Sequence, residues 1–361
     1  MTRMRLQNFA CLVSLAVAFG CGQTEPPPSS GFSQADLTGA WDRIWFTTND
    51  AAGWAFHSLT VDASGQVTFN GCLNQSGPCT VTATVAFGID ASGNVTATGT
   101  GSSPTLHGTM NAAKNLIFAT ASVPSTGTPS GYSIQVFRKR VPGVTWTSAD
   151  VANLAFAYHS LHSGPNAGWE RGAGTTDGTG SLTVTSSLTS AGSSQTPPPG
   201  FATVQIDAQG LVTLAGPGAP SFQGVMTPDK KTIFGVLTTT VGPPASYGFM
   251  ALLATGQQTF AQADLATTWN FRALTSGFAV ATSSWMRGTI QIDAAGAVTF
   301  LSSTNQNGPT TVNGFSIQLG PTGGISRADL ASYAGQMSFH KDFFVRTQTL
   351  SGADSLSIAA R

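Results

Sequence analysis

The stretch Phe32-Ser-Gln-Ala-Asp36-Leu37 recurs as Trp146-Thr-Ser-Ala-Asp150-Val151 and again as Phe260-Ala-Gln-Ala-Asp264-Leu265, at steps of 114 residues. A second landmark follows in the same order: Gly108-Thr-Met110 with Lys114, Gly224-Val-Met226 with Lys230, and Gly335-Gln-Met337 with Lys341. Two landmarks at one period mean that a single module is written three times. The expected boundaries are 32–142, 143–256 and 257–361. A segment of residues 1–20 and a Pro-rich stretch of residues 21–31 precede them.

Within a module, short alternating runs are broken by turn residues, which is the pattern of strands. Module one reads as strands at 41–48, 54–61, 66–70, 80–89, 94–100, 105–110, 116–122 and 132–138. Asp62-Ala-Ser-Gly65, Asp90-Ala-Ser-Gly93, Asp207-Ala-Gln-Gly210 and Asp293-Ala-Ala-Gly296 read as tight hairpin turns. In each, Asp bonds the turn amides and Gly supplies the left-handed residue. One Asp per loop is too few oxygens for calcium. Asp36, Asp150 and Asp264 open each module in a short helical turn, where a carboxylate caps local amides. Ser326-Arg-Ala-Asp329-Leu330 predicts one more helical turn. The expected fold is all-β: an antiparallel meander of three tandem eight-stranded barrels or sandwiches. Eight strands are also two four-stranded blades, so the alternative is one six-bladed propeller. A transmembrane barrel is disfavoured because four Tyr are few for aromatic girdles.

Charged residues make up 9% of the chain and the net charge is zero, against roughly 25% charged in an ordinary soluble domain. No basic stripe exists for nucleic acid, which is therefore not expected as a partner. Arg3 and Arg5 followed by the apolar run from Phe9 to Gly20 predict an export signal, too short to span a bilayer. Cys11 lies within that signal. Cys72 and Cys79 form the remaining close pair, and in an oxidising compartment they are expected to form a disulfide.

Aromatic residues mark a core or a rim. Trp54, Trp169 and Trp285 head the second strand of each module, and two of them continue as Trp169-Glu-Arg171-Gly172 and Trp285-Met-Arg287-Gly288. Alternation puts Trp and Arg on one face, where the guanidinium can lie over the ring. These five residues are the candidate binding platform, with packing and solvent shielding as the bland reading. No catalytic signature is present: only two Glu occur, Glu25 and Glu170, and the turn Asp residues are accounted for. His159 and His162, three apart on a strand, point to opposite faces, which suits a metal poorly. Neither a cofactor nor a metal is expected. If chemistry occurs, the place for it is Tyr158, His159, His162, Glu170 and Arg171.

The run Val17-Ala18-Phe19-Gly20-Cys21-Gly22 resembles the lipobox of bacterial lipoproteins, which implies that Cys21 is the acylated N-terminus and that Glu25 to Ser30 is a tether. Ala18 stands where the commonest pattern has Leu. The absence of Asp after Cys21 implies the outer membrane, facing the periplasm or the outside, with plain secretion as the alternative. Leu37-Thr-Gly-Ala-Trp41 resembles the opening of lipocalin-like domains, which implies a small apolar pocket or a filled interior in each barrel. Gly224-Val-Met-Thr-Pro-Asp-Lys-Lys-Thr-Ile-Phe234 is similar to the blade motif of bacterial propellers. The functional expectation is a lipid-anchored envelope protein that binds a glycan, a peptide or a small apolar ligand without turnover, or has a structural role. Three similar modules favour multivalent binding. The alternative is a propeller-type hydrolase or lyase acting on an extracellular polymer.

Overall fold

The hairpin turns set where strands start and stop. Asp62 Oδ1 accepts from the Ser64 and Gln66 amides at 2.8 and 2.9 Å, while Gly65 N–H returns to the Asp62 carbonyl at 3.0 Å. Gly65 sits at φ +90°, which a side chain would resist. The turns at 90–93, 207–210 and 293–296 repeat this geometry. The computed structural model describes residues 31–361 apart from 101–104, 124–129, 195, 240–244, 257 and 277–282. The signal-like segment 1–20, Cys21 and the tether up to Ser30 lie outside the described residues.

Copy one contains β1 (Gly39–Thr47), β2 (Gly53–Val61), β3 (Gln66–Asn74), β4 (Gly77–Pro78), β5 (Thr84–Ile89), β6 (Asn94–Thr100), β7 (Leu106–Met110), β8 (Leu116–Val123) and β9 (Gly131–Lys139). They form a nine-stranded antiparallel sheet in the order β2-β1-β9-β8-β7-β6-β5-β3-β4, and β2 also pairs with β3. The sheet therefore closes on itself, with β1 against β9 and the two-residue β4 hanging from β3. Closure removes the sheet edges that would otherwise be open to aggregation.

Copy two contains β10 (Ala155–Ser163), β11 (Gly168–Thr176), β12 (Leu182–Thr189), β13 (Thr203–Ile206), β14 (Leu211–Ala215), β15 (Ser221–Met226), β16 (Thr232–Thr238) and β17 (Tyr247–Ala254). Its eight-stranded sheet runs β12-β11-β10-β17-β16-β15-β14-β13. The two ends meet through a Ser181–Thr203 bridge. Copy three contains β18 (Thr268–Ser276), β19 (Ser284–Ile292), β20 (Ala297–Asn305), β21 (Gly308–Pro309), β22 (Phe315–Ser316), β23 (Gln318–Leu319), β24 (Gly324–Ser326), β25 (Ala334–Met337), β26 (Phe343–Leu350) and β27 (Ala353–Ala360). Its sheet is joined at the seam by β22 on β20, followed directly in the chain by β23 on β24.

The fold is thus three tandem antiparallel barrels. The propeller alternative fails because the first and last strands of each copy pair with one another, which closes each copy where blades would stay open. The blade-like stretch from Gly224 to Phe234 is the β15–β16 hairpin of the second barrel. The extra helical turn expected at Ser326 is also absent: Gly324–Ser326 is a strand. Arg327 then pairs with Asp329 at 2.6 Å and lays its guanidinium over Phe315 at 4.1 Å.

Barrels one and three each hold one interior core cluster, barrel two holds two, and a further core lies between the barrels. That central cluster draws on all three copies and centres on Phe118, Phe234 and Phe343. Their ring centroids lie 5.7, 5.3 and 5.7 Å apart, a closed triangle of aromatic contacts. This is why β8 is buried on both faces along Leu116–Ala121. The barrels meet head to tail, and the heterologous contact closes after three.

Candidate functional site: seams and barrel interiors

The candidate platform residues fall on the seams. Trp54 Nε1 donates to Thr238 Oγ1 of copy two at 2.9 Å, Trp169 Nε1 to Thr349 Oγ1 of copy three at 2.7 Å, and Trp285 Nε1 to Ser122 Oγ of copy one at 2.9 Å. The three indoles are 5, 3 and 5% exposed. Each begins a second strand whose outward face meets the next barrel, so the ring is covered and its one donor is satisfied. Trp54 and Trp169 only reach the walls of open clefts, with little ring surface exposed to a ligand.

Arg171 lies over Trp169 at 4.5 Å, the stacking that strand alternation predicts. Its Nη1 donates to the Ser332 carbonyl of copy three at 2.7 Å. Beside Trp285 the stacking partner is instead His107 of copy one, centroids 5.1 Å apart. Arg287 is held below its ordinary pKa by burial. Two further arginines clamp the other seams. Arg138, fully buried with Asp42, donates to the Gln209 carbonyl at 2.8 Å. Arg272 donates to the His107 and Gly108 carbonyls at 2.9 Å each.

The proposed chemical cluster of copy two divides along the strand. His159 faces outward, its Nδ1 3.1 Å from Thr347 Oγ1 of copy three, and Arg171 is in the same seam. Tyr158, His162 and Glu170 come together inside: Tyr158 Oη and Ser187 Oγ both donate to Glu170 Oε1, at 2.7 and 2.8 Å. Ser160 Oγ is 2.9 Å from His162 Nε2, and Glu170 Oε2 is 4.0 Å from that same nitrogen. A catalytic triad needs the carboxylate on the other ring nitrogen, so this cluster is not arranged for nucleophilic catalysis. Burial holds His162 below its usual pKa, only partly offset by Glu170. Burial, reinforced by Glu170, pushes the Tyr158 hydroxyl up. Among the described residues no group of three or more His, Cys, Asp or Glu is placed to hold a metal.

What distinguishes the copies is the filling of the barrels. The same register position pairs Arg43 with His57 in copy one, Tyr158 with Gly172 in copy two, and Phe271 with Gly288 in copy three. In copies two and three the aromatic ring lies across the glycine: a Cβ on Gly172 would meet Tyr158 Cε1 at 2.7 Å, and one on Gly288 would meet Phe271 Cε1 at 2.8 Å. The glycine of each Trp-x-Arg-Gly run is therefore the floor on which an aromatic residue rests. In copy three, ring contacts run on from Phe271 through Phe300 and Phe315 to Tyr333 at 5.7, 6.0 and 6.1 Å, a chain of aromatic contacts through the interior. Copy two keeps a mostly apolar cavity of about 160 Å³ between Phe156, Leu182, Phe201, Phe222 and Leu252, with Tyr158 and Glu170 on its wall, and a more open, more polar cleft of about 670 Å³ beside His162, Glu170 and Ser187.

Copy one is different. Its interior holds a cavity of about 330 Å³ lined by Arg43, Trp45, His57, Phe69, Phe87 and the Cys72–Cys79 disulfide, among others. Cys72 pairs with His57 across the sheet, so the disulfide closes the β3–β4 hairpin over the cavity. Arg43 lies 4.5 Å over Trp45 and its Nε donates to Gln135 Oε1 at 3.1 Å. Burial lowers its pKa to about 9, which leaves it charged at neutral pH. Burial and then the Arg43 charge lower His57 to about 3, so it is neutral.

Comparison with known proteins adds little to this geometry. No family model matches the chain, and no curated protein matches it. Among solved structures, a transferrin binding protein B double mutant from Haemophilus parasuis is similar with TM-score 0.30 and 10% identity, covering 89% of this chain and 75% of that one. Transferrin binding protein B of serogroup B Neisseria meningitidis gives 0.26 and 8%, covering 90% and 76%. A putative outer membrane protein of Bacteroides fragilis gives 0.19 and 11%, covering 62% and 100%. Likenesses this distant carry no argument about what the chain binds.

Proposed function

We propose that the protein is an exported, lipid-anchored envelope protein that binds a small ligand inside its first barrel, without catalysis. The observation that carries this is the contrast at one register position. Copies two and three place a ring over glycine, whereas copy one places Arg43 and His57 beside an open cavity of about 330 Å³. Ligand cavities run from about 300 to 1,000 Å³, so the occupant is small. The indoles once candidates for a platform are buried in seams, which favours an internal site over a surface one. The three interiors also differ chemically, which favours one principal site over three equal ones.

Anchoring rests on Cys21 and the lipobox-like residues before it, with the outer membrane as the destination. Replacing Cys21 with Ser is expected to move the protein from the detergent phase to the aqueous phase on Triton X-114 partition. For the binding site, 1-naphthaleneacetamide is a neutral probe of suitable size, read by calorimetry on the full chain. It should bind with 1:1 stoichiometry, and Ala97→Trp, which places an indole in the first cavity, should abolish binding. Binding unaffected by that substitution would put the site elsewhere.

A further inference from the structure

Resting on that reading, we propose that the ligand of the first barrel is a monoanion, an organic carboxylate with an apolar or aromatic body, held by Arg43. A buried charge is costly unless it is paired. Arg43 is 9% exposed, yet no Asp or Glu lines its cavity. The nearest carboxylate in sequence, Asp42, points out of the barrel to Arg138 and Arg140. Among the described residues the one hydrogen bond that the Arg43 side chain makes is through Nε to Gln135, which leaves both terminal nitrogens of the guanidinium without a protein acceptor.

Two more polar atoms at the same cavity are unsatisfied. Trp45 Nε1 and His57 Nδ1 are buried with no hydrogen-bond partner, although such groups are nearly always paired. Both atoms belong to side chains that line the same cavity as Arg43, and of the three residues Arg43 and Trp45 can only donate. The missing partner must be rich in acceptors. A carboxylate matches the guanidinium fork with two parallel bonds. One cation with no other charge near it calls for a single negative charge. The remaining wall, with Phe69, Val85, Phe87 and Leu106, is apolar and suits the hydrocarbon part of such a ligand. Copies two and three have Tyr158 and Phe271 where copy one has Arg43, so the preference belongs to the first barrel alone.

The test compares 1-naphthaleneacetate with its neutral isostere 1-naphthaleneacetamide by calorimetry on the full chain near pH 7. The carboxylate is expected to bind at least tenfold more tightly. Arg43→Met should bring the two affinities within about twofold while the amide still binds, and Arg43→Lys, which keeps the charge, should retain a preference for the carboxylate. Equal affinities in the unaltered protein, or a carboxylate preference that survives Arg43→Met, would overturn the inference and leave the internal pocket standing. Failure of both probes to bind the unaltered protein would overturn the pocket reading and this inference with it.

Discussion

Lys114 Nζ lies 2.9 Å from Asp36 Oδ2, and the same ion pair recurs as Lys230–Asp150 at 2.9 Å and Lys341–Asp264 at 2.8 Å. Each lysine sits at φ between 56° and 61°, a left-handed turn that aims its side chain back at the start of its own barrel. Each Asp also accepts the backbone N–H three residues earlier at 2.8 Å, so it caps the opening turn and receives the lysine at once. Asp36→Ala should therefore cost more than Lys114→Met: about 1–2 kcal/mol for a lost cap plus ion pair, against about 0–1 kcal/mol for the partly exposed pair alone. Urea unfolding of both variants checks the order.

Those pairs also have a pH signature. Burial raises Asp36 and Asp264, but the lysine and the local amides outweigh it and hold both below the ordinary carboxylate value of 3.8. Their contribution is complete above about pH 4 and is lost as pH falls through their folded values. The histidines act in a higher window. His57 and His159 are held near 3, chiefly by burial, against an ordinary 6.5, so the unfolded chain takes up protons that the fold refuses. Stability should be full above pH 6.5 and fall between pH 6.5 and 5 by up to roughly 1.4 kcal/mol per pH unit for each histidine. His107 and His162 are also held below the ordinary value by burial, so His159→Gln should remove about a quarter of the summed slope in denaturant melts across this range.

The central aromatic triangle makes the three barrels depend on one another. Phe234→Ala removes contacts to Phe118 and Phe343 together and is expected to cost about 3–5 kcal/mol. Calorimetry should show one transition shifted downward, because the cavity opens between all three barrels and not inside one. Two separated transitions would mean that the barrels unfold independently.

Residues 146–256 expressed alone should form a poorly soluble or molten species. That fragment would expose Trp169, Val236, Phe249, Ala251 and Leu253, all of the shared core. Gel filtration and a thermal melt of the fragment check this.

The Cys72–Cys79 disulfide closes a short loop with a sequence separation of 7, for which chain entropy gives about 2–3 kcal/mol. Reduction should lower the melting temperature of the protein and weaken ligand binding, since the hairpin it closes lines the first cavity. The double variant Cys72→Ala, Cys79→Ala should show no response to reductant.

Much of this architecture is legible in the chain. The Asp-x-x-Gly turns mark hairpins because each is closed by its own side chain and glycine, a local event that needs no tertiary information. The strands of copy one fall where alternation places them, to within a few residues. What alternation alone does not convey is who covers the outer face. Leu116-Ile117-Phe118-Ala119 is apolar on both sides, a sign of burial on both faces, but the covering residues come from two other copies. Trp54, Trp169 and Trp285 were recognisable as equivalent positions, and the stacking of Arg171 on Trp169 was too. Their partners Thr238, Thr349 and Ser122 lie far away in the chain, so their seam role was not legible. The signal of Arg43 lies in the first strands and not in the second. Aligning the first strands on Trp41, Phe156 and Trp269 sets one arginine against Tyr158 and Phe271.

The most direct measurement is a crystal structure of the full chain soaked with 1-naphthaleneacetate. The carboxylate is expected against the Arg43 guanidinium, with the rings between Phe69 and Phe87 and the interior of copy three unchanged. A ligand found only outside the first barrel, or a first cavity left empty at saturating concentration, would contradict it.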